Sequence, residues 1–204
     1  MSADATQPSG RPRDSGLEHR IIEATQDLLI EREYVGTTIA AVAARARCGK
    51  SAIYRRWETK VDLVVAAVRA TQTRLDPQDT GSLREDLRRT AMHFAGSDER
   101  SGRILASLLS ALGSDPDLYQ AANRDVGSPP AAALREVIER WIARGVVPAD
   151  VPVALIAGLV PTAAFGSVVL RKQYLDEDAV TELIDRVVLP ALGQPPGSAE
   201  RSTP

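Results

Sequence analysis

The 204-residue sequence predicts an all-α protein. Three observations predict it. Apolar residues recur at three- and four-residue spacing along most of the chain, the repeat of one helix face. No window alternates apolar and polar residues for long enough to make a sheet. Helix punctuation falls between the periodic stretches: Thr37, Thr38 and Thr59 stand where N-caps belong, Pro129 and Pro130 suit a first turn, and Gly145 follows a predicted end.

The elements follow in order. Residues 1–14 are polar and rich in Ser, Pro and Gly, and read as a disordered arm carrying Arg11 and Arg13. Leu17, Ile21, Ala24 and Leu28 put one apolar stripe on a helix over 17–33, which 34–36 should break. A short helix then runs to Ala46, a three-residue connection covers 47–49, and a second short helix spans about 50–57. A longer helix is predicted over 60–74. Further helices cover 83–95, 100–112 and 129–144. Residues 151–170 contain no charge over twenty positions, long enough to cross a bilayer. Pro152, Pro161, Gly158 and Gly166 interrupt that run, so it reads instead as a helix buried at a subunit interface. Gly158, Thr162 and Gly166 are four apart and allow close helix approach. Val180, Ile184 and Val187 belong to the stripe of the last helix. Two adjacent apolar helices at a chain end suit a four-helix homodimer interface with no membrane involved. The predicted boundaries are thus an arm at 1–14, a helix-turn-helix domain at 15–62, a larger helical domain at 63–193 and a disordered tail at 194–204.

Composition excludes several functions. Net charge is −2, which excludes a wholly electrostatic nucleic-acid binder. One cysteine, Cys48, and two histidines, His19 and His93, provide neither a disulfide nor a metal or nucleophile–base constellation. No cofactor or metal is expected, and the chain does not read as an enzyme. The first sixteen residues lack a secretory apolar core, and the expected location is cytoplasmic. The average hides a local excess, however. Residues 45–60 hold six basic side chains against the single acid Glu58.

That cluster lies on a helix-turn-helix pattern. Winding residues 50–57 at about 100° per residue places Ile53 and Trp57 on the buried side. Arg55 lies opposite, with Ser51 and Ala52 beside it, and Tyr54 and Arg56 on the flanks. Small residues let a backbone approach base edges, arginine grips guanine, and flanking groups meet phosphates. The alternative for Ser51 and Arg55 is a solvated helix face.

Thr37-Thr38, Val42-Ala43-x-x-Ala46 and Lys50-Ser51-Ala52-Ile53-Tyr54-Arg55-Arg56-Trp57-x-x-Lys60-x-x-Leu63 resemble the DNA-binding signature of the tetracycline-repressor-like (TetR/AcrR-type) regulators. The match covers about residues 21–67. It departs at Glu33 and Arg47, where the family often has Gly, at Cys48 for Val, at Gly49 for Ser and at Trp57 for Phe. The resemblance implies nine to ten helices, with the first three binding a palindromic double-stranded operator. It makes Tyr54 a phosphate contact, with partial core packing as its alternative. Thr38 and Lys60 would meet phosphates, and Lys50 and Arg47 add to the DNA face. Cys48 would fill a small apolar site rather than sense redox state. The resemblance also implies a C-terminal domain that dimerises and holds a small-molecule pocket. Met92, Phe94, Leu105, Leu108, Leu109, Trp141 and Phe165 lie on its middle helices and are the candidates to line a pocket for an apolar or amphipathic organic effector, with plain core packing as the alternative for each. The function implied is a ligand-released repressor. A helical interaction or small-molecule-binding protein of the same fold, without specific DNA binding, stands as the alternative.

Overall fold

The computed structural model describes residues 15–72, 75, 79–96 and 98–195; the predicted arm and residues 196–204 of the predicted tail lie outside them. The described residues are helical, joined by short turns, with one isolated bridge between Ala95 and Leu175.

Helix α1 (Ser15–Gly36) serves two cores. Ile21, Ala24 and Leu28 pack with Val42, Ala43, Ile53 and Leu63 under the helix-turn-helix. One turn on, Leu29 and Tyr34 join Val64, Val68, Ile104 and Leu108 in the neighbouring core. The predicted break comes one residue early, at Glu33, with φ 56° and ψ −175°. That backbone region is nearly reserved for glycine. The Thr37 hydroxyl and amide both donate to the Glu33 carbonyl, at 2.7 and 3.2 Å, and hold the bend. Glu33→Gly is therefore expected to raise the unfolding free energy by about 1 kcal/mol, measured by denaturant titration.

Helix α2 (Ile39–Arg45) starts at Thr38, whose hydroxyl accepts from the Ala41 amide. Helix α3 (Lys50–Tyr54) is shorter than predicted, although Trp57 N still donates to Ile53 O at 3.0 Å and carries the helical path onward. Helix α4 (Lys60–Arg69) begins in a capping box of Thr59 and Asp62 and ends earlier than predicted. Like α1 it contributes to both cores, with Leu63 in the first and Val64, Val65 and Val68 in the second. Two helices therefore connect the helix-turn-helix domain to the rest, and a tilt of either moves both cores.

Helices α5 (Leu83–Ala91) and α6 (Glu99–Ala111) follow, capped by Ser82 and Asp98. Helix α7 (Pro116–Ala122) is an addition to the predicted set. Asp115 caps it and Pro116 opens it, and through the π-helical turn Asn123–Gly127 it runs into α8 (Ser128–Ala143). Helices α9 (Val153–Arg171) and α10 (Glu177–Leu183) come next, and a second π-helical turn leads into α11 (Leu189–Ala191). Gly102 lets α6 meet the end of α9: a Cβ there would lie 2.9 Å from the Lys172 carbonyl oxygen.

Two sets of expectations need correction. Phe94, Leu105, Leu108 and Trp141 are buried core residues that do not line the cavity described below, and Leu109 and Phe165 pack against the same clusters. Leucines on a strongly amphipathic helix fill space between helices before they line a void. Val180 and Ile184 are not interface residues either. Both are fully buried against α5 and α8 residues of their own chain, because the last helix turns its main stripe inward. Val187, in contrast, remains 42 % exposed. Thr162 is exposed, and a Cβ added at Gly158 or Gly166 would meet open space. Leu155, Val169 and Leu170 are exposed on the same helix, Leu170 by 84 %. Among the described residues α9 is the one helix long and apolar enough to cross a membrane, and only a third of it is buried.

Candidate nucleic-acid interface

The connection between α2 and α3 determines what α3 presents. Arg47 takes a left-handed backbone with φ 53°. The chain thus keeps the turn geometry of a glycine and accepts the strain of a side chain there. The Cys48 amide closes the turn on the Ala43 carbonyl at 2.9 Å, and the half-buried Cys48 side chain packs on the first core. Gly49 caps α3 through its extended backbone alone.

Lys50, Ser51, Tyr54 and Arg55 are all exposed. Their spacing, i, i+1, i+4 and i+5, makes them one face of the helical path. Ala52 and Ile53 form the buried side. The helix is therefore rotated from the predicted wheel, and Ala52 and Arg56 leave the groove-facing set. Arg56 folds back, donating to the Ala52 carbonyl at 3.1 Å and lying 3.9 Å from Glu18. Its aliphatic stem makes this possible where a short polar side chain would point outward. Trp57 is half-buried on the first core as expected. Arg45, part of the basic run, is held by Glu31 through two hydrogen bonds of 2.8 and 2.6 Å. The cations left on this surface are Arg47, Lys50 and Arg55, which have no ion pair among the described residues.

Lys60 is also engaged inward. Its ammonium donates to the Tyr34 carbonyl at 2.6 Å and lies 3.9 Å from the centre of the Tyr34 ring. Burial lowers its pKa, and Asp115 partly opposes that shift. The Tyr34 hydroxyl donates to Asp115 at 2.7 Å, so one chain of contacts runs from α4 through the end of α1 to the cap of α7. Burial first, and then the Asp115 hydrogen bond, raise the Tyr34 pKa. The Asp115 pKa is held down by the Leu118 amide and by Tyr34. The Asp-Pro start of α7 could have been read as a helix cap, but its partner 81 residues earlier had no local signal. Lys60→Ala is expected to cost about 1–2 kcal/mol of stability. It should leave the salt slope of DNA binding unchanged, whereas losing a phosphate contact would reduce that slope by about 1.

Beyond the reading domain, a cavity of about 640 Å³ opens at the end of α4. Met92 and Tyr174 give it apolar surface, and His93, Asp98, Asp176 and Gln72 give it polar surface. Of the seven residues expected to line a pocket, only Met92 does. The rest of this lining comes from helix ends and the turns between them, such as Gly96, Tyr174 and Asp176, whose side chains lack the periodicity that made the helices legible.

Two family models match the chain. Residues 21–67 match the tetR family of bacterial regulatory proteins, and residues 77–187 match the tetracyclin repressor-like C-terminal domain. The chain belongs to the TetR family. This TetR-family protein is a DNA-binding transcriptional regulator and not an enzyme. It is 27 % identical to an uncharacterized HTH-type transcriptional regulator of Mycobacterium tuberculosis H37Rv, across 97 % of this chain and 100 % of the relative. It is 28 % identical to the DNA-binding transcriptional repressor TetR of Mycobacteroides abscessus, across 83 % of this chain and 90 % of that one. Among solved structures, Salmonella enterica GusR shares the fold with a TM-score of 0.69 at 15 % identity, covering 92 % of this chain and 100 % of its own.

Proposed function

We propose that this TetR-family regulator binds a palindromic operator as a homodimer in the cytoplasm, represses transcription from it, and is released by a small amphipathic effector. The observation that carries the reading is the exposed face of Lys50, Ser51, Tyr54 and Arg55 on a helix anchored by Ile53. Ser51 and Arg55 contact base edges in the major groove. Thr38, Arg47, Lys50 and Tyr54 contact phosphates, which fix the register. The exposed apolar face of α9 around Gly158, Thr162 and Gly166, with Val187 beside it, packs on the same face of a second copy.

The effector occupies the 640 Å³ cavity, whose mixed lining suits an amphipathic molecule. Thr71 and Gln72 bring the end of α4 to its wall. Two reading helices must sit about 34–36 Å apart to enter successive major grooves. A ligand preferring a tilted α4 favours a spacing that mismatches DNA. The coupling required is about 1–3 kcal/mol. The test is recovery of genomic fragments on the purified chain, followed by footprinting. The expected result is a palindromic site protected on one face of the duplex. Failure to enrich any fragment over bulk DNA would return the protein to the class of helical interaction proteins.

A further inference from the structure

Apolar burial holds the helix-turn-helix domain onto the larger domain without setting its angle. Leu29 of α1 and Val64, Val65 and Val68 of α4 share a core with Ile104 and Leu108 of α6 and with Leu118 and Ala121 of α7. Such burial is favourable in proportion to area and has no preferred direction. Hydrogen bonds do have one.

Tyr34 supplies such a bond where three helices meet. It is 8 % exposed, at the end of α1. Its carbonyl accepts from the Lys60 ammonium at 2.6 Å, and that ammonium lies 3.9 Å from the centre of its ring, which ties it to the start of α4. Its hydroxyl donates across the seam to Asp115 Oδ2 at 2.7 Å. Asp115 is itself held, because its Oδ1 accepts from the Leu118 amide at 3.0 Å and caps α7. One carboxylate thus serves both sides, with one oxygen inside α7 and the other on the helix-turn-helix domain. Arg100 also reaches Asp27 across this seam, at 2.6 Å, but both side chains are well exposed. Salt screens a pair of that kind, and it adds little. The buried Tyr34–Asp115 bond is the stronger determinant of angle.

We infer that the Tyr34–Asp115 hydrogen bond selects the spacing of operator half-sites. Tyr34 is buried and Asp115 belongs to the larger domain, so both are positioning residues that act on DNA through the helices they join. The inference rests on the dimeric, palindromic reading proposed above. In that assembly the two reading helices must meet half-sites about 34–36 Å apart. One inserted base pair moves the second half-site by about 3.4 Å along the axis and about 35° around it. A domain held at one angle rejects that displacement, and a domain free to tilt follows it.

The test measures dissociation constants of the full chain for three duplexes made from the recovered operator. One is the palindrome with its own spacing, one carries an extra central base pair, and one holds a single half-site. The wild-type chain is expected to prefer the native spacing over the inserted one. Tyr34→Phe keeps the ring and the carbonyl beside Lys60 and loses only the hydroxyl. Asp115→Ser keeps one oxygen to cap α7 and has none left for Tyr34. Each should lower the ratio of native to inserted affinity by about fivefold or more, within the worth of one hydrogen bond to a charged group. Each should leave half-site affinity unchanged. The double variant should match either single one, because both break the same link. Either variant keeping the wild-type ratio overturns this inference alone. Half-site affinity falling as far as palindrome affinity overturns it as well, since the damage then lies inside the helix-turn-helix domain. A wild-type chain indifferent to the inserted base pair contradicts the dimeric reading and this inference together.

Discussion

Replacing Thr162 by arginine is expected to yield a folded monomer whose affinity for a palindromic operator is reduced by about a hundredfold or more. Thr162 stands exposed on α9, one turn from Gly158 and one turn from Gly166. Leu155, 67 % exposed, and Leu170 extend the same helix's apolar surface towards both ends. In the proposed dimer this surface is covered by its copy. A guanidinium placed there must be desolvated without a partner, which costs several kcal/mol, or it must keep the subunits apart. In the isolated subunit the arginine points into water and leaves the cores intact. Light scattering separates the two species, and the circular dichroism melt of the monomer shows that it folds. Without the dimer only one half-site is held at a time, and the second contact no longer adds its affinity. Gly158→Leu tests the same face without charge, and is expected to weaken the dimer by steric separation. A Thr162→Arg protein that remains dimeric at micromolar concentration would show that the subunits meet elsewhere.

The second large effect is one of stability. Asp86 is fully buried, and its carboxylate accepts from the Thr80 amide at 2.7 Å, the Thr80 hydroxyl at 2.6 Å and the Trp141 indole at 2.9 Å. It ties the segment before α5 to the middle of the larger domain. Asp86→Ala is expected to cost about 3–5 kcal/mol, because it strands the buried Trp141 indole and frees both Thr80 donors as well as leaving a void. Burial pushes the Asp86 pKa upward, but the Thr80 and Trp141 hydrogen bonds and the charge of Arg140 outweigh it, and the net shift is downward. A carboxylate with a lowered folded pKa contributes stability above its unfolded pKa and loses it as pH falls through the folded value. Glu85, held down to about 2 by Arg88 and Arg89, titrates in the same direction but is mostly solvated and contributes less. The melting temperature should therefore stay level from about pH 7 to 5 and fall below about pH 4. Asp86→Ala should flatten that acid limb. A variant with an unchanged acid limb would mean that other carboxylates govern it.

What was legible in the sequence had a local cause. The stripe of Ile21, Ala24 and Leu28 defines α1, and the caps Thr38 and Thr59 define the starts of α2 and α4, each through neighbours within four residues. The reading face was largely legible for the same reason, since Ser51, Tyr54 and Arg55 follow from helix geometry once Ile53 is anchored. The rotation that buries Ala52 was not. It depends on how α3 lies across α2, and on Arg56 folding back onto it. The inward contact of Lys60 was not legible, because its partner, the Tyr34 carbonyl, belongs to another helix end. The cavity at the end of α4 was less legible still. Leu105 and Leu108 have the periodicity of any core helix, whereas Tyr174 and Asp176 reach the cavity from turns. Voids arise from imperfect fit between elements, and no residue type announces them. Val180 and Ile184 show the same limit, since an apolar stripe does not reveal whether it faces its own chain or a second copy.

The central claim is that the α3 face reads sequence, and the most direct measurement compares dissociation constants for the recovered operator and for a scrambled duplex of equal length. Arg55→Ala is expected to weaken operator binding by about 1–3 kcal/mol and to change scrambled-duplex binding far less, because arginine at a base edge discriminates between sequences. Tyr54→Phe should weaken both duplexes alike, as a phosphate contact does. Loss of affinity for both duplexes by the same factor in Arg55→Ala would contradict the account, reducing this face to an electrostatic contact with the DNA backbone.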